Sequence, residues 1–167
     1  SYIAILGDKH PSALGRRFIS ITADLADSHC VPKGMEQALA ACPRLDILVN
    51  NAGIIRRAEA LNFSEQDWDD VMNVNSKTLF FLAQAVARQF VQQGHGGKII
   101  NIASMLSYQG GIRVPSYTAS KSAVMGLTRL MANEWAQYGI NVNAIAPGYM
   151  ATNNTEQLRD DEERSQQ

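Results

Sequence analysis

Apolar runs, separated by glycine and polar turns, divide this chain into alternating strands and helices. Tyr2 to Leu6 is a short apolar run ended by Gly7-Asp8 and reads as a strand. Lys9 to Gly15 contains Pro11 and Gly15 and reads as a loop or a weak helix. Phe18 to Ile21 is a second strand, followed by Ala23-Asp24-Leu25, and a helix is predicted over Val31 to Ala41. Asp46 to Val49 is a third strand. Its apolar run is continuous, as expected where helices cover both faces of a sheet. It leads into Asn50-Asn51-Ala52-Gly53.

Ser64 reads as a helix N-cap, with Glu65 and Asp67 in the first turn. Trp68, Val71, Met72, Leu79, Leu82, Ala83, Val86 and Phe90 then recur at helical spacing. Asn75 falls on that same apolar face. A buried amide needs partners, so Asn75 is either a structural buttress or part of a site. Gly94, Gly96 and Gly97 should end this helix. Lys98 to Ala103 is a fourth strand, with Ser104 at its end. Met105 to Pro115 is a loop, a helix runs through Ala136, and Ile140 to Ala146 is a fifth strand closed by Pro147-Gly148.

This order predicts right-handed crossovers and a parallel sheet. Ligands of open α/β sheets lie outside the carboxyl ends of the strands. Asp24, Asn50, Ser104 and Pro147-Gly148 each follow a strand, so they are expected at one edge. Tyr117 and Lys121 are four residues apart on a helix and share a face. A phenol has a reference pKa of about 10, and a nearby cation lowers it. Such a pair can serve as general acid or base on a hydroxyl or carbonyl. Alone, the spacing also fits a surface Tyr and Lys.

Composition narrows the classes. The 167 residues are the length of one domain, and 46% are hydrophobic and 19% charged, as in a protein with a real core. A net charge of -1 offers no electrostatic case for nucleic acid or an anionic membrane. Cys30 and Cys42 suggest neither a disulfide framework nor a zinc site. His10, His29 and His95 lack metal-ligand spacing, so no metal is expected. No signal peptide or spanning segment is visible, and a cytoplasmic protein is the expectation.

Together, Asp24-Leu25, Asn50-Asn51-Ala52-Gly53, Asn75, Ser104, Tyr117-x-x-x-Lys121 and Pro147-Gly148 with Thr152 resemble the short-chain dehydrogenase/reductase family. Ser104 precedes Tyr117 by thirteen residues, the usual family arrangement. The stretches Asn51 to Arg57, Trp68 to Met72, Ala103 to Tyr117 and Met150 to Thr155 are similar to its sugar-acid branch, the 2-dehydro-3-deoxy-D-gluconate and gluconate 5-dehydrogenases. The resemblance implies a Rossmann-type doubly wound parallel sheet, NAD as cofactor, a small sugar-acid substrate and a homotetramer for the complete protein. It implies that Asn75, Ser104, Tyr117 and Lys121 are catalytic, with Lys121 also lowering the Tyr117 pKa and holding the nicotinamide ribose. Asn75 would hold a relay water.

Asp24, Leu25, Asn50, Ala52 and Gly53 would line the adenosine half of the cofactor. Pro147, Gly148, Met150 and Thr152 would close over the nicotinamide. Asp8 could accept from the adenosine 2′-hydroxyl, or be a plain loop acid. Arg56, Arg57 and Arg113 sit on loops after strand ends and are candidates for a carboxylate, or are solvated or interfacial; none is assigned. The family's Gly-rich phosphate turn is not found, so residues 1–167 are read as one partial domain without the first strand-helix unit and the C-terminal strand. On that reading, this stretch by itself should show no saturable NAD binding. A reductase of 3-oxoacyl thioesters and a non-catalytic fragment are the alternatives.

Overall fold

A computed structural model describes residues 2–6 and 18–148. Asp8, Met150 and Thr152 lie outside them. Strands β1 (Tyr2–Leu6) and β2 (Phe18–Thr22) come first. Then follow α1 (Cys30–Ala41), β3 (Ile47–Asn50), α2 (Glu65–Met72) and α3 (Leu79–Gln93). Strand β4 (Gly97–Ile102), α4 (Pro115–Trp135) and β5 (Ile140–Ile145) complete the order.

Strands β3, β4 and β5 form a parallel sheet in that order, as the alternation of elements predicts. The register sets Asn50 beside Asn101 and Ile102 beside Ile145. The carboxyl ends of the three strands therefore lie level. Strand β2 departs from expectation. It pairs antiparallel with β1, in a separate two-stranded sheet. Two apolar segments close in sequence can pair antiparallel without a crossover, whereas a parallel pair needs a connection of a dozen or more residues.

The expected double cover of the sheet is also only half present among the described residues. One face is packed. Phe90 from α3, Met131 from α4, Ile99 from β4 and Ile140 and Val142 from β5 form one buried cluster. On the other face, Ile47 is 61% exposed, Val49 53% and Ile145 53%. A continuous apolar run cannot tell which of its faces is covered in a given chain.

Ser64 caps α2 as expected, accepting from the Asp67 N–H at 3.1 Å. Gly94 ends α3 in the left-handed region at φ 74°, where a side chain would be strained. Between α2 and α3 the single predicted helix contains a π-helical turn, Asn73–Thr78. Such turns are rare and concentrate at functional sites. A buried chain of amides locks the sheet to α4. Asn50 donates to Asn101 at 2.9 Å, Asn101 donates to Thr128 at 2.9 Å, and Thr128 donates to the Val124 carbonyl.

Phe90 is fully buried at the centre of the cluster. Replacing it by alanine removes a ring and leaves a cavity. Phe90→Ala should cost about 3–5 kcal/mol, measured by urea unfolding of the full-length protein.

Candidate active site

The level carboxyl ends of β3, β4 and β5 make the floor of the site. The Ala103 N–H donates to the Ile145 carbonyl at 2.8 Å, and the Met105 N–H to the Pro147 carbonyl at 3.3 Å. Ser104 and Pro147 are thereby drawn to one edge, as their positions after strands predict. Asp24 follows β2, outside this ladder. Asp24 is exposed, and its carboxylate accepts from the Ala26 N–H at 3.1 Å. Leu25 and Asn50 are buried at 4% and 7% exposure, so both serve as interior residues.

Helix α4 starts at Pro115, where the missing N–H costs nothing. Its first turns present Tyr117 and Lys121 on one face. Lys121 Nζ lies 5.7 Å from the Tyr117 ring centroid and donates to the Ile102 carbonyl at 2.6 Å. Lys121 is buried, at 4% exposure. Burial disfavours its charge and lowers its pKa to about 8.

Burial pushes the Tyr117 phenol above its usual value. A hydrogen bond with the Ser104 side chain and the positive charge of Arg57 pull against that rise. The downward pull expected from Lys121 is thus supplied here by Ser104 and Arg57. Ser104 Oγ accepts from the Leu106 N–H at 3.2 Å. A hydroxyl that accepts on its inner side keeps its proton to donate on the other.

Asn75 sits in the π-helical turn and is fully buried. Its amide pairs with the Ile54 peptide in both directions. It accepts from the Ile54 N–H at 2.9 Å and donates to the Ile54 carbonyl at 3.0 Å. It also donates to Ser120 Oγ at 3.1 Å, and Ser120 donates to the Tyr117 carbonyl at 2.8 Å. The side chain is therefore committed to the loop after β3 and to α4. Ala52 is half-buried on that loop. At Gly53, an added Cβ would stand 3.3 Å from Asn75 Oδ1 and 3.6 Å from Lys121 Nζ. The missing side chain keeps a cradle open beside the ammonium. Gly148 is exposed beyond Pro147.

The three arginines separate. Arg56 faces Asp67 and Asp70, each at 3.3 Å. Arg113 takes a positive φ of 61°, and its carbonyl accepts from the Ala58 N–H at 3.1 Å. Arg57 is the one whose charge bears on Tyr117. Two contributors went unread in the sequence, Ser107 and Ser120. Ser120 lies within the Tyr-x-x-x-Lys span itself, and Ser107 follows Ser104 at capping-box spacing.

A model of the short chain dehydrogenase family matches residues 6–163. The chain belongs to the short-chain dehydrogenase family. It is 69% identical over 156 residues to the 2-dehydro-3-deoxy-D-gluconate 5-dehydrogenase of Dickeya dadantii, covering 93% of this chain and 62% of that protein. It is 70% identical over 154 residues to the Escherichia coli K12 enzyme of the same name, covering 92% and 61%. The chain thus spans about three fifths of their length. Among solved structures, it is similar to a gluconate 5-dehydrogenase from Burkholderia cenocepacia in complex with NADP and tartrate. That likeness has a TM-score of 0.81 and 43% identity, covering 86% of this chain and 56% of the other. No helix among the described residues is long and apolar enough to cross a membrane.

Removing the Asn75 amide strands the Ile54 N–H and carbonyl. Asn75→Ala should destabilise the full-length protein by about 1–3 kcal/mol, read from the shift of the denaturation midpoint. Asn75→Asp should not recover the loss, because a buried carboxylate oxygen would face the Ile54 carbonyl and Ser120 Oγ where the amide donated.

Proposed function

We propose that the complete protein is an oxidoreductase that interconverts a secondary alcohol and a ketone on a small sugar acid of the 2-dehydro-3-deoxy-D-gluconate or gluconate type. The observation behind this reading is the meeting of Ser104, Tyr117 and Lys121 at the end of β4. The Ser104 side chain favours the ionised Tyr117 phenol, and the Lys121 ammonium lies 5.7 Å from the Tyr117 ring centroid. The names of the similar proteins support the substrate class.

The residues present suit the ribose and nicotinamide end of a dinucleotide. The open cradle at Gly53 lies beside the Lys121 ammonium, which can donate to ribose hydroxyls. Ala52, Pro147 and Gly148 lie on the same edge. Asp24, Leu25 and Asn50 are proposed for the adenosine half, with Leu25 and Asn50 contributing backbone. When bound, nicotinamide supplies the hydride acceptor or donor. We assign NAD, following the family resemblance. The NADP in the Burkholderia cenocepacia structure makes NADP the competing cofactor.

In oxidation, the Ser104 hydroxyl gives a hydrogen bond to the reacting oxygen and fixes its place. Tyr117 accepts the hydroxyl proton as hydride leaves the carbon. In reduction the phenol returns that proton to the new alkoxide oxygen. Burial holds the phenol protonated, so the resting residues are set for reduction. Oxidation requires ionised Tyr117, and its rate should rise with pH. Asn75 holds the loop bearing Gly53 against α4 and is proposed to hold a relay water.

Arg57 is the proposed clamp for the substrate carboxylate, because its positive charge acts on Tyr117. The exposed Phe81 on α3 and Leu130 on α4 are proposed to meet other subunits of a cytoplasmic homotetramer.

The test uses the full-length protein with the sugar acid and each dinucleotide. Tyr117→Phe should lower kcat by about 10²–10⁴-fold with an unchanged melt. Lys121→Met should also weaken dinucleotide binding. Arg57→Ala should raise KM for the sugar acid about tenfold or more, and Arg113→Ala should not. Near-parental turnover in the Phe variant would refute the site, and a substrate-independent Arg57 effect would refute the clamp.

A further inference from the structure

Both capacities of the Ser107 hydroxyl are committed at the site. Its oxygen accepts from the Ser104 backbone N–H at 3.2 Å, and its proton goes to the Lys121 carbonyl at 2.8 Å. Ser107 also closes the turn on Ser104 by its own N–H, which donates to the Ser104 carbonyl at 3.0 Å. Leu106 N–H reaches Ser104 Oγ from the same turn. The Lys121 carbonyl lies in the interior of α4, where the helix ladder already supplies a donor. The bond from Ser107 is an added tie between the loop and the helix. It joins the backbone of the proton donor to the backbone of the buried ammonium.

We infer that Ser107 is a positioning residue, which sets the Ser104 hydroxyl against the Tyr117–Lys121 pair by bridging the Ser104 amide to the Lys121 carbonyl. This rests on the roles proposed above for those three residues. A hydroxyl at position 107 that only stabilised the loop would change the melting temperature and leave the chemistry of Ser104 alone. A positioning hydroxyl acts through Ser104, so its loss should matter only while Ser104 is present.

The experiment compares Ser107→Ala, Ser107→Thr, Ser104→Ala, Tyr117→Phe and the Ser104→Ala/Ser107→Ala double variant in the full-length protein. Steady-state rates are taken with the sugar acid and dinucleotide across pH, beside thermal melts. Ser107→Ala should melt cooperatively and lose about 10–100-fold in kcat, since a displacement near 1 Å can cost about 10². Its KM for dinucleotide should stay at the parental value. The pH profile for oxidation should move upward, because Ser104 no longer favours the ionised phenol. Ser107→Thr keeps the hydroxyl and should restore most of the rate. The double variant should be no slower than Ser104→Ala.

Parental kcat in Ser107→Ala, or an equal fold-loss in the Ser104→Ala background, would overturn the inference. Should the alanine variant fail to melt cooperatively, Ser107→Cys, similar in size with a weak donor, is read by the same two criteria. Normal turnover in both Ser104→Ala and Tyr117→Phe would overturn the site reading and this inference with it. Crippled Ser104→Ala and Tyr117→Phe with a normal Ser107→Ala would overturn this inference alone.

Discussion

A buried ammonium is the constraint around which this fold is arranged. Lys121 has 4% exposure and donates to the Ile102 carbonyl at the very end of β4. An isolated buried charge is costly unless neighbours satisfy it. The strand end supplies one acceptor, and the Tyr117 ring lies within cation–π range of the same nitrogen. The rest of the site keeps this arrangement in register. The parallel ladder levels the strand ends, and the Asn50–Asn101–Thr128 chain ties the sheet to α4.

The π-helical turn is the second level of control. It brings three buried polar residues, Asn75, Ser76 and Thr78, into a helix otherwise packed by apolar side chains. Asn75 then binds one peptide of the loop after β3 and one hydroxyl of α4. Ser76 adds a bond to the Ser120 carbonyl at 3.3 Å. Loop, helix pair and α4 are fastened by polar groups that cannot slide past one another as apolar surfaces can. These ties fix the geometry of the candidate site.

Much of this was legible in the sequence for local reasons. Ser64 and Gly94 act through neighbouring residues, so cap and stop were predicted where they occur. The apolar runs of β3, β4 and β5 and the spacing of Tyr117 and Lys121 are likewise local patterns. Asn75 stood out because an amide on an apolar face needs an explanation. The π-helical turn did not stand out, because one extra residue in a turn barely disturbs a helical period. The antiparallel pairing of β1 with β2 was missed because strand pairing depends on what lies between the strands in space. Ser107 was missed because its capping-box spacing to Ser104 gives no sign of its other partner, the Lys121 carbonyl, which meets it only after folding.

Lys121 is held in a desolvated place beside the Tyr117 ring, and its ionisation reports that place directly. Burial lowers its pKa from 10.5 to about 8. Between those values the unfolded chain keeps a proton that the folded chain has lost. The contribution of this group to stability therefore rises as pH climbs through that window. The direct measurement is the titration of the Lys121 side-chain carbon next to nitrogen by NMR, in full-length protein with labelled lysine and Lys121→Met for assignment. A midpoint near 8 is the predicted result. A midpoint at the ordinary lysine value of 10.5 would contradict a buried ammonium at the end of β4.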